Sequence, residues 1–167
     1  MSKGGKYPLE ALRQQRQHVV EARTQELATR RQETDAAGAR KHGAANAVQR
    51  HEAQAAETRE QEREQLDAGV LRAGDLASAA SWEFATQQQG AQLREAEAAA
   101  AKELRTRRQQ EAQSRAELAR ADADAEAVDK HRNAWAAERA RALEAAEEEG
   151  AEEAHLARRF HRHRSDS

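Results

Sequence analysis

Apolar residues are thinly spread along this chain, but their spacing is regular. After the single proline, Pro8, the positions Leu9, Leu12, Val19 or Val20, Leu27, Ala45, Val48, Ala55 and Leu66 follow intervals built from three, four and seven. Arg, Glu and Gln fill the faces between them. That period places one narrow apolar stripe along a helix, the pattern of a coiled-coil seam. Pro8 suits a first helical turn, because its fixed φ is helical and its missing N–H would be unpaired there anyway. Glu10 then lies near the positive end of the helix dipole. Glu26 with Arg30 and Glu60 with Arg63 stand one turn apart in the supporting order, each pair contributing about 0.2–0.5 kcal/mol when exposed. Gly38 and Gly43 are the weak points of this helix.

The stripe breaks at Ala68-Gly69-Val70-Leu71-Arg72-Ala73-Gly74-Asp75, where two glycines stand five apart and an acid ends the segment in position to cap a new helix. A chain reversal is predicted there. Leu76 to Gln89 carries Trp82 and Phe84, two of the five aromatic residues, and Gly90 marks a candidate kink. Helical spacing returns from Ala91 to Phe160, with Leu104, Leu118, Ala121, Ala125, Val128, Trp135, Ala142, Leu156 and Phe160 on the seam. Gly150 and the acidic run Glu147 to Glu149 loosen its end.

The predicted organisation is therefore a flexible N-terminus (1–7), a first long helix (8–68), a tip with the turn and the start of the second helix (69–90), a second long helix (91–160) and a basic disordered tail (161–167). Arms of similar length, each about 90–105 Å at about 1.5 Å per residue, favour an all-α, long two-helix antiparallel coiled-coil hairpin. Folding back buries the stripe within one chain, which leads us to expect a monomer in isolation.

Composition agrees with this picture. Hydrophobic residues make up 38% of the chain but aromatic ones only 3%, so the apolar content is mostly alanine and cannot fill a thick core. Charged residues reach 35% and the mean hydropathy is −1.11. Such polarity fits disorder or long helices, and the dominance of Ala, Glu, Arg, Gln and Leu favours helix. An alanine seam stabilises little per turn at about 25 cal/mol per Å² of buried apolar area, which predicts fraying at the open end. The 28 basic and 30 acidic residues are interspersed, unlike the one-sided basic field of a nucleic-acid binder. Even the alanine run Ala98 to Ala101 is bounded by Glu97 and Lys102, so no membrane span is expected. The opening MSKGGKYPLE has no apolar signal stretch, leading to the expectation of a cytoplasmic protein.

Chemistry is equally sparse. Cysteine is absent, and there is no phosphate-binding glycine loop, zinc-protease motif or nucleophile elbow. No enzymatic activity, cofactor or metal is expected. The histidines of Phe160-His161-Arg162-His163-Arg164 diverge on a helix and sit among arginines, which disfavours a dication; His131 reads as a surface residue. The two tryptophans are more informative. Trp135 continues the Val128 and Ala142 stripe and is expected in the seam, whereas Trp82 lacks stripe continuity and is an equal candidate for packing or partner contact.

Tyr7-Pro8-Leu9-Glu10-Ala11-Leu12-Arg13, with Arg16, Val20, Glu21-Ala22 and Glu26-Leu27-Ala28, resembles the opening of the FliJ/YscO family of type III secretion stalk proteins. Lys130-His131-Arg132-Asn133-Ala134-Trp135, then Glu152-Glu153-Ala154 and Arg158, is similar to that family's closing helix. The middle of the chain matches in kind only, and Arg23, Thr34 and Lys41 make its seam unusually polar. The resemblance implies a central stalk at the cytoplasmic face of a flagellar or injectisome export apparatus, inserted into the hexameric export ATPase. Leu9, Leu12, Arg13, Arg16, Trp135 and Arg158 would then serve the ATPase end. Val70, Leu71, Trp82 and Phe84 would lie towards the membrane export-gate protein, by geometry without a motif match. Secretion chaperones are further partner candidates. The Tyr7-Pro8-Leu9 start leans towards a virulence-type or symbiosis-type system.

Two rivals satisfy the same composition: a structural coiled-coil scaffold or spacer with no ATPase partner, and a polyampholyte that folds on binding.

Overall fold

A computed structural model of the chain describes the backbone of residues 6–165 and the side chains of residues 6–159. The fold is all-α, with two helices, α1 (Glu10–Asp67) and α2 (Ala73–Ser165), packed as a helical hairpin. No strand occurs among the described residues. Contacts divide the chain into a turn unit, Thr24–Glu117, and an open unit in which residues up to Arg23 meet those from Leu118 onward.

In the turn unit α1 ends where a positive φ becomes necessary. Gly69 adopts φ 69°, its N–H donates to the Leu66 carbonyl, and the Val70 N–H donates to that of Gln65. These two bonds form a Schellman motif that satisfies carbonyls of the last helical turn. Three residues later α2 starts. Asp75 does cap it, but from the third helical position: its carboxylate accepts from the Arg72 N–H at 2.8 Å, while the Asp75 N–H donates to the Arg72 carbonyl. This is the acidic half of a capping box, with Arg72 itself as the N-cap.

The seam of the turn unit follows a three-four alternation. On α1 the buried or half-buried positions include Leu27, Arg30, Thr34, Ala37, Lys41, Ala44, Val48, His51, Ala55 and Thr58. On α2 they include Trp82, Thr86, Gly90, Leu93, Glu97, Ala100, Leu104, Arg107, Glu111 and Ser114. Many of these positions are polar, so the stripe is broader than the apolar residues alone reveal. Charged side chains along the seam edges pair across it. Arg59 meets Glu83 through two hydrogen bonds of 3.0 and 2.8 Å, Arg94 meets Glu52 at 3.0 Å, Arg40 meets Glu103 at 2.7 Å, and Arg107 meets Glu33 at 3.0 Å. As the α1 number falls from 59 to 33 its partner climbs from 83 to 107, the register of an antiparallel pair.

Several expectations need correction. Pro8 precedes α1: the Glu10 N–H donates to the Tyr7 carbonyl at 3.2 Å, closing a turn across Pro8 and Leu9. Tyr7, assigned to a flexible N-terminus, is only 7% exposed. Leu9 and Leu66, placed on the seam, are 38% and 54% exposed: Leu9 precedes the first helical residue, and Leu66 falls off the three-four alternation. Ala142 and Leu156 are exposed as well, since α1 has no described residue left to cover them; the Phe160 side chain lies outside the described ones. α2 runs through Gly90 without interruption. Gly90 is buried, and a Cβ there would stand 3.3 Å from His51 Cε1, so its lack of a side chain admits the imidazole. The helix also passes through Gly150 and continues to Ser165, into the segment expected to be a disordered tail.

Candidate functional site

The open unit brings together most of the residues singled out at the two ends of the sequence. The turn at Pro8 directs Tyr7 onto α2, where its ring packs 5.5 Å from Trp135 and 5.7 Å from His131. The Tyr7 hydroxyl lies 2.7 Å from His131 Nδ1 and 3.5 Å from the Val128 carbonyl oxygen. The Arg139 guanidinium stacks 5.5 Å from the Trp135 ring centroid, a cation–π contact. Trp135 is thus half-buried in the seam, as its stripe position predicts. His131 remains exposed, with one ring nitrogen engaged by Tyr7.

One turn further along α1, Arg13 Nε donates to Asp129 at 2.7 Å and its Nη1 to Glu10 at 3.1 Å. The hydrogen bond to Asp129 holds the guanidinium pKa above its ordinary value; desolvation opposes the shift and Glu10 adds to it. Arg16 reaches Asp124 at 3.0 Å, and Leu12 is half-buried beside them. Both arginines are therefore engaged within the chain, and a partner would meet them as parts of neutralised pairs. Nearby, Gln17, Val20, Glu21, Asp122, Ala125, Glu126 and Asp129 line an open, mostly acidic groove. Glu126 is held below the ordinary glutamate range by the hydrogen bond from Lys130.

Arg158 does not join this cluster. It lies 23 residues beyond Trp135 on the same helix, about 35 Å away at about 1.5 Å per residue, and its Nε donates to the Ala154 carbonyl. Leu9 stands at the rim.

At the turn, Val70 and Phe84 are 68% and 63% exposed, and Leu66 and Leu76 add further exposed apolar surface. Leu71 and Trp82 are half-buried. Trp82 separates two open grooves, one shared with His51, Ala55 and Thr86, the other with Val70, Leu71 and Ala79. It therefore both packs and presents an edge, while Phe84 projects freely.

Tyr7, Asp129 and Arg139 do not stand out in the apolar spacing. Tyr7 precedes the periodic stripe, and a charged residue becomes a seam partner only once the opposite helix is in register.

Among the described residues no group of His, Asp and Glu is arranged to hold a metal ion, and no helix is long and apolar enough to cross a membrane. The arrangement offers surfaces for binding: an aromatic and ion-paired cluster in one unit and an apolar turn in the other. Comparison with protein-family models, curated proteins and solved structures gives no match for this chain.

Proposed function

We propose that this chain is the central stalk of a type III secretion export apparatus, inserting into the hexameric export ATPase and promoting its activity. The observation that carries the reading is the contact of Tyr7 with Trp135 and of Arg13 with Asp129. The two stretches that resemble the family's opening and closing helices, far apart in sequence, meet in one unit. A single hairpin cannot match six equivalent subunits simultaneously, so its contacts in such a pore must be individually weak and exchangeable. Ion-paired side chains and short alanines meet that requirement. The turn, with Val70, Leu71, Trp82 and Phe84, then faces the membrane export-gate protein, and chaperones are further partners.

The test is stimulation of the export ATPase from the same organism by the purified chain. Wild type raises turnover, and Leu12→Asp and Trp135→Ala lose that effect with helicity retained. A second reading, a coiled-coil spacer, draws on the continuous three-four stripe of the turn unit and predicts neither binding nor stimulation.

A further inference from the structure

Beyond Trp135 and Arg139, α2 continues without cover: every residue from Arg141 to Arg159 is exposed, including Leu143 at 52% and Leu156 at 51%. The three-four stripe nevertheless continues through Ala142, Ala146 and Leu156, with Glu149 and Glu153 at the two positions between Ala146 and Leu156. Charge is segregated along this segment as nowhere else in the chain. Glu144, Glu147, Glu148, Glu149, Glu152 and Glu153 come first, with no Lys or Arg among them; Arg158, Arg159, Arg162 and Arg164 follow, with no acid among them. Glu144 with Glu148, Glu148 with Glu152 and Glu149 with Glu153 are like charges one turn apart, which destabilise an isolated helix. Among the described residues none from Arg141 to Arg159 has an ion-pair partner. The helix dipole favours cations only in the last turn, so it leaves the acidic block unexplained.

We propose that this segment of α2 pairs antiparallel with the same segment of a second copy of the chain. A two-fold axis near Ala154 sets the acidic block of each copy against Arg158 and Arg159 of the other, in a self-complementary interface. Parallel pairing would set like charges together. The apolar stripe is thin, so charge carries the specificity and the association is salt-sensitive. This departs from the monomer expected from the hairpin alone and is independent of the ATPase reading.

Sedimentation equilibrium of the full chain tests it, with two variants, Glu147→Lys/Glu148→Lys/Glu149→Lys and Arg158→Glu/Arg159→Glu, whose helicity is checked by circular dichroism. Wild type self-associates at low salt, and each variant alone, or raised salt, weakens the association by roughly tenfold or more. An equimolar mixture of the two variants restores it, because each substituted block of one chain then faces a block of opposite charge on the other. A wild-type chain that stays monomeric at low salt up to about 100 μM overturns the proposal. So does self-association that neither variant weakens, or variants that fail to recover on mixing.

Discussion

Tyr7 and Trp135, 128 positions apart in the sequence, stack with ring centroids 5.5 Å apart and planes inclined at 59°. A tilted pair at this distance is worth about 0.5–1.5 kcal/mol beyond the area it buries. Tyr7→Ala is expected to destabilise the open unit by about 2 kcal/mol. Tyr7→Phe, which keeps the ring and loses the hydroxyl contact to His131, should cost about 0.5–1 kcal/mol. Fluorescence of Trp135 in a Trp82→Phe background, followed through thermal unfolding, separates the two effects.

Glycines inside the helices divide by what surrounds them. A Cβ at Gly43 or Gly150 meets nothing within 4 Å, so Gly43→Ala should stabilise by up to about 1 kcal/mol through helix propensity. At Gly90 the added methyl presses on His51, and Gly90→Ala is expected to gain less than Gly43→Ala. The difference should disappear in a His51→Ala background, measured as thermal midpoints by circular dichroism.

The stripe of this protein was legible in part. Leu27, Val48, Leu104, Ala121 and Val128 lie where their spacing places them, and Gly69 marks the turn. Arg30, His51 and Arg107 share the same seam but read as surface residues, because their stems pack while their polar ends reach the edge. Leu66 errs the opposite way: its side chain is apolar but falls off the alternation, and it is 54% exposed. At the candidate site Trp135 followed from spacing alone, whereas Asp129 needed the partner helix to bring Arg13 beside it.

Gly69 tests the turn. Its φ of 69° lies in the left-handed region, and Gly69→Ala should destabilise by about 1–2 kcal/mol. Asp75→Ala, which removes the carboxylate from the Arg72 N–H, should cost about 1 kcal/mol. Hydrogen exchange across residues 64–78 would show both losses as faster opening confined to the helix ends.

Acid should loosen the turn unit through Glu83. Its carboxyl is held below the ordinary glutamate range by hydrogen bonds from Arg59 and then Gln87, with Coulombic attraction to Arg59 adding to them. A depressed folded-state value means that the stabilisation is present above the unfolded-state value and is lost as pH falls through the folded one. The thermal midpoint of wild type should therefore drop on acidification through the carboxylate range. Glu83→Gln, lower at neutral pH, should show a smaller drop. Identical pH slopes for the two chains would exclude a role for this pair.

Short side chains such as Ala37, Ala44, Ala55, Thr86, Ala100 and Ser114 recur along the seam of the turn unit, and helices meeting through such shallow contacts could engage shifted by a heptad. What distinguishes one alignment from its neighbours is the singular fit of His51 over Gly90 and the two-pronged grip of Arg59 on Glu83. Seven residues along α2 from Gly90, His51 would confront Glu97 or Glu83, each carrying a bulky side chain in place of the open notch. A single hydrogen-only side chain thus acts as the index mark by which the two helices find their register.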